Sequence, residues 1–150
     1  RIRVATSRVA VLAVYAAVLA ASSFAPIMIF GPKYDIDLPW NVFWTMCGFA
    51  MLFMLAVGGF AMLMSAIFRG GGRPGAITAG VLMVLWIADI TSNASEVAEF
   101  FDPVNIVSYW QPGKIINGDA IAAEAWWLYG ILAVASLTAA VLVFSRRDVA

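Results

Sequence analysis

FFDPVNIVSYWQPGKIINGD, residues 100–119, is the stretch on which the reading of this chain turns. It is half apolar, holds two prolines and two glycines, and lies between two runs long enough to cross a bilayer. Asp102-Pro103 fits a helix cap with proline at the first helical position, and Gln111-Pro112-Gly113 reads as the stop of that short helix. Upstream, Asn93 and Glu96 have the spacing of a cap and its N3 partner, which predicts another short helix over 94–101. Two half-helices separated by one turn cannot both cross a membrane. Irregular backbone at membrane depth is tolerated only against protein or a watery cavity. The expectation is therefore a re-entrant helical hairpin dipping shallowly beside the spans. Isolated helices below ~12–15 residues rarely hold in water, so Phe100, Phe101, Tyr109 and Trp110 need neighbouring helices to bury their rings.

The composition points the same way. Apolar residues make up 63% and charged residues 12%, against roughly half and about 25% in soluble domains. Such a chain takes the bilayer as its solvent. Zero net charge gives no argument for nucleic acid. The absence of histidine removes the commonest metal ligand and the usual neutral-pH base. Cys47, the single cysteine, falls within an apolar run and reads as a small buried hydrophobe. The chain begins with Arg rather than Met, which reads as part of a longer polypeptide, with 1–150 forming one transmembrane domain.

Four spans are predicted, near 9–30, 40–68, 75–92 and 122–145. In the first, Ala13, Ala17 and Ala21 recur every four residues, with Ala16 and Ala20 beside them. They form either a close-approach seam or a generic alanine-rich helix. Pro26 is expected to kink or end that helix. The second run exceeds the ~30 Å hydrocarbon core if fully helical and must tilt, bend or project. Gly58-Gly59 offers a bend or a close contact within it. FRGGGRPG, residues 68–75, lacks the Lys-Ser/Thr pair of a phosphate-binding loop and reads as a tight turn. Asp89 lies in the outer third of the third span, where it either lines a pathway or reaches the headgroups. Asp119 is placed to cap the last helix, and Trp126-Trp127 suit the headgroup layer.

With four spans, Arg1, Arg3, Arg8, Arg69, Arg73, Arg146 and Arg147 fall on one side and Lys33 and Lys114 on the other. The positive-inside rule then makes both ends cytoplasmic and turns residues 93–124 outward.

Taken in order, these features resemble the C-terminal half of an ABC type-2 transporter permease. RIRVATSRVAVLAVY (1–15) is similar to the segment that enters that family's third span. LMSAIFRGGGRPGAITAG (63–80) is similar to its fourth span, basic turn and fifth span. SYWQPGKIINGD (108–119) resembles the stretch after its extracellular hairpin, and FSRRDV (144–149) its common ending. The resemblance implies an all-α polytopic protein of the cell membrane, bacterial in type, whose four helices are the last of six. It implies pairing with a second or homologous permease copy and with ABC ATP-binding subunits, which would carry ATP and Mg and perform the hydrolysis. No nucleotide motif or catalytic constellation occurs in this chain. In that setting Asp89, Phe100, Phe101, Tyr109 and Trp110 are candidates for the pathway and its outer gate, or for a static lid. Arg1, Arg3, Arg8, Arg69 and Arg73 lie on the ATPase side. The competing readings are a secondary transporter, which would ordinarily show internal repeats and interrupted helices, and a non-catalytic membrane anchor subunit of a larger complex.

Overall fold

The computed structural model describes residues 2–34, 38–68, 72–92, 105–117 and 121–146. Four long helices dominate it: α1 (Ile2–Phe30), α2 (Trp40–Ile67), α3 (Arg73–Ser92) and α5 (Ala123–Arg146). A short helix α4 (Pro112–Ile116) precedes the last, and a 3₁₀ turn (Gly31–Tyr34) follows the first. No strand occurs among the described residues. All four long helices are long and apolar enough to cross a membrane.

Helix α2 is the centre. It packs most extensively on α5 and also on α1 and α3. The contacts fix the directions. Gly58 meets Leu12 and Cys47 meets Ala20, so α1 and α2 are antiparallel. Phe49 meets Tyr129 and Gly59 faces Ser136, so α2 and α5 run parallel. The reason is the connection: the chain leaves α2, ascends in α3, and starts α5 from the same end at which α2 started.

Close approach is set by glycine. A Cβ on Gly58 would lie 2.7 Å from the Leu12 side chain, and one on Gly59 would collide with Ser136 Oγ and press on Leu137. The Gly58-Gly59 pair is thus a contact site for two neighbours. In α1 the buried alanines are Ala5, Ala16 and Ala20. Ala17 and Ala21 are exposed, so the every-fourth-residue ladder is not the face that meets α2. The α1 helix also begins before the expected span, taking in Arg3 and Arg8, and continues one turn past Pro26. Before α3, Gly72 adopts φ +94°, a conformation an L side chain resists, and its carbonyl accepts from Ala76 N–H at 3.0 Å.

The third helix is the least covered. In its most apolar stretch 6% of residues are buried by the chain, against 22% in α2. Met83, Val84 and Trp86 therefore stand exposed on α3, as Val14 and Tyr15 do on α1. Such rows are stable where lipid or another helix covers them.

Candidate functional site

The described part of the opening stretch, residues 105–117, folds onto the end of the bundle where α2 and α5 begin. It starts with an Asn-centred turn. Asn105 Oδ1 accepts from Val107 N–H at 3.0 Å, and Ser108 Oγ donates to Asn105 O at 2.8 Å. This is local side-chain-to-backbone bonding of the kind that makes asparagine a turn residue. Residues 106–109 form that turn, and Pro112 opens α4. The sequence expectation that Gln111-Pro112-Gly113 ends a helix is corrected here: it starts one. Proline loses no bond at a first helical position, and it drives the preceding Gln111 away from helical geometry, observed at φ −121°, ψ 70°. The short helix over 94–101, the Asp102-Pro103 cap and the Asp119 cap lie outside the described residues.

Three elements hold this segment. Asn105 is 1% exposed and its amide donates to Leu85 O of α3 at 3.0 Å. Leu85 lies about two turns before the end of α3, roughly 10 Å down the helix. Tyr129 of α5 is fully buried, and its hydroxyl donates to Ile106 O at 2.6 Å. The Trp110 ring stacks on two α2 rings, Phe49 at 5.7 Å and Phe53 at 5.2 Å between centroids. Phe49 and Phe53 both also contact Tyr129, and Trp126 meets Phe49 edge-on at 5.2 Å. Ring pairs in these geometries are worth about 0.5–1.5 kcal/mol each beyond their burial. Among the described residues no buried side-chain nitrogen or oxygen lacks a hydrogen-bond partner.

Asp89 is half-buried and engaged. It stands one turn after Leu85, on the helix face that receives Asn105, and both Asp89 and Tyr109 lie within electrostatic range of the Tyr129 hydroxyl. Tyr109 and Trp110 are half-buried. The structure thus brings Asp89, Tyr109 and Trp110 to one place, whereas Phe100 and Phe101 lie outside the described residues. Beside this cluster a pocket of about 530 Å³ opens, with Phe49, Ile115 and Tyr109 in its wall and Lys114 and Glu124 at its rim.

At the other end of the bundle the arginines gather. Arg3, Arg8 and Arg73 are exposed at the starts of α1 and α3. The Arg8 guanidinium sits 5.3 Å from the centre of the Phe144 ring, tying α1 to the end of α5. Arg1 and Arg69 are outside the described residues. Sequence reasoning missed Asn105, Tyr129, Phe49 and Phe53 as the parts that hold 105–117 on the end of the bundle where α2 and α5 begin. The available signals were the i, i+4 spacing of Phe49 and Phe53, which puts both rings on one helix face, and the lone tyrosine Tyr129 inside an otherwise apolar span, since buried tyrosines usually find a hydroxyl partner. Comparison with protein-family models, with curated proteins and with solved structures finds no match to this chain.

Proposed function

We propose that this chain is a membrane-spanning permease subunit of an ATP-driven ABC exporter, acting as a dimer coupled to cytoplasmic ATPase subunits, with 105–117 as part of a re-entrant segment closing the outer end of the pathway. The observation that carries the reading is the anchoring of that segment: it is bonded to α3 two turns down from its end, to Tyr129 of α5, and stacked on α2. A plain connector between two spans has no need of three such ties. The opposite end carries Arg3, Arg8, Arg73 and Arg146, and the positive-inside rule makes it the cytoplasmic face, on which an ATPase would dock.

In this reading the pathway runs beside α2 and α5, and the ring cluster is its outer seal. Packed rings have two discrete arrangements, in place or displaced, as a gate requires. Substrate would pass when ATP-driven closure of the partner subunits shifts the helix ends that carry the arginines. This chain supplies the walls and the seal; the partner supplies the hydrolysis.

The test is purification from native membranes under mild detergent. Copurification with a Walker-motif ATPase, with crosslinks from a cysteine at position 3 to that subunit, is the expected result. Cysteines replacing Lys33 and Lys114 should label from outside with an impermeant reagent, and those replacing Gly71 and Val149 should not. An active protein without any ATPase would instead favour an ion-driven transporter built around Asp89. Alanine at Phe101 and Tyr109 separates gate from lid: a gate variant assembles but changes transport or uncouples hydrolysis, and unchanged transport removes the gate.

A further inference from the structure

The pocket at the mouth has a character that the transport reading does not require. Its volume of about 530 Å³ falls within the ~300–1,000 Å³ of small-molecule sites. The lining is mixed: Phe49 and Ile115 are buried and Ile121 half-buried, and Ser108, Tyr109 and Gln111 add polar groups beside them. The rim carries two exposed charges of opposite sign on two separate elements, Lys114 in α4 and Glu124 in the first turn of α5.

We infer that this pocket binds a zwitterionic amphiphile of the phosphatidylethanolamine type, with its phosphate at the Lys114 ammonium, its own ammonium at the Glu124 carboxylate, and its apolar part against Phe49, Ile115 and Ile121. The argument is one of matching. A simple anion meets Lys114 but is repelled by Glu124, and a simple cation meets the reverse. A wholly apolar ligand leaves both charges unused, and a wholly polar one leaves the Phe49–Ile115 wall without a partner. A ligand with two opposite charges next to an apolar body engages Lys114, Glu124 and the Phe49–Ile115 wall together. The position suits such a ligand, because the pocket lies where α5 begins and the neighbouring Trp127 is 72% exposed, as tryptophans at the headgroup layer are.

The test uses the full chain in nonionic detergent, titrated with phosphatidylethanolamine bearing two six-carbon chains and followed by calorimetry. Saturable binding is expected, weakened about tenfold or more by Lys114→Gln and by Glu124→Gln, each of which removes one charge-assisted contact. The phosphatidylglycerol of the same chain length lacks the ammonium; it should bind more weakly than phosphatidylethanolamine and, freed of the carboxylate's repulsion, should bind more tightly, not less, on Glu124→Gln. Both substitutions fall on exposed positions, and unchanged helicity by circular dichroism checks that the variants fold. Affinity in both variants unchanged from that of the unsubstituted chain, or equal binding of an uncharged amphiphile of the same length, overturns the assignment and leaves Lys114 and Glu124 as solvated rim charges. Glycerophosphoethanolamine, the headgroup without chains, distinguishes the source: binding at least about tenfold weaker supports a lipid, and equal binding means a water-borne zwitterion and refutes the amphiphile. No ATPase is present in this experiment, so its failure leaves the permease reading standing, and failure of ATPase copurification leaves this one standing.

Discussion

The two halves of the α2–α5 seam solve the same packing problem in opposite ways. Toward the arginine end the helices meet through small residues: Gly59 against Ser136 and Leu137, with Ala56, Ala66, Ala133 and Ala140 buried. Toward the mouth, Phe49, Phe53, Tyr129 and Trp110 fill the space with rings. In lipid there is little hydrophobic drive between helices, so dispersion contacts and hydrogen bonds decide association. Small residues gain those contacts by bringing two backbones together, which leaves room for nothing else. Rings gain them at a distance, which leaves room for a third element. That is why 105–117 docks at the mouth.

The comparison can be broken most forcefully at Tyr129. Tyr129→Ala removes a fully buried ring that touches Phe49 and Phe53 and leaves the Ile106 carbonyl without its donor. A loss of about 3–5 kcal/mol is expected, read as a lower midpoint in denaturant or a lower melting temperature in detergent. A loss below about 1 kcal/mol would mean that the rings do not hold the mouth together.

Gly59→Leu attacks the other half. The added side chain has no space between α2 and α5, and overpacking of this kind costs about 1–3 kcal/mol. Because the disturbance is remote from Trp110, a probe of the mouth such as amide exchange at residues 105–117 should change less than overall stability. Equal disturbance of both would show that the seam acts as one unit.

Asn105→Ala cuts the tie to α3 and the turn bond to Val107 while leaving the ring cluster intact. About 1–3 kcal/mol is expected, concentrated as faster amide exchange in 105–111 with helices α1 and α2 unaffected. The mildest change is Tyr129→Phe, which keeps the ring and deletes only the bond to Ile106 O. It should cost about 1–2 kcal/mol, and a larger effect than Asn105→Ala would make the α5 tie the stronger of the two.

How much of this was legible beforehand differs between the helices and the mouth. The four spans fell near their expected bounds because each is an apolar run, and in lipid such a run satisfies its backbone only as a helix. Of the tight turn expected over 68–75, residues 69–71 lie outside the described residues, and Gly72 with its positive φ leads into α3. Of the residues named for the pathway at the mouth, Trp110 stacks on Phe49 and Phe53 and Asp89 and Tyr109 are half-buried, while Phe100 and Phe101 lie outside the described residues. The turn there was misread at Gln111-Pro112-Gly113, because proline suits both the end and the start of a helix. Which meaning holds depends on Asn105, whose side chain makes the turn six residues earlier and bonds to α3.

Hydropathy and arginine position act locally, residue by residue, and they dictate a membrane solvent, four helices and a charged end. Which faces meet was fixed by the packing of the folded helices. It chose Ala16 and Ala20 over Ala17 and Ala21, made Gly58-Gly59 a close contact with two neighbours, and set Tyr129 under Ile106. The physical reason is that all these helices are apolar on every side, so their periodicity does not distinguish the face that meets lipid from the face that meets protein. Shape complementarity makes that distinction, and it exists only between helices already side by side.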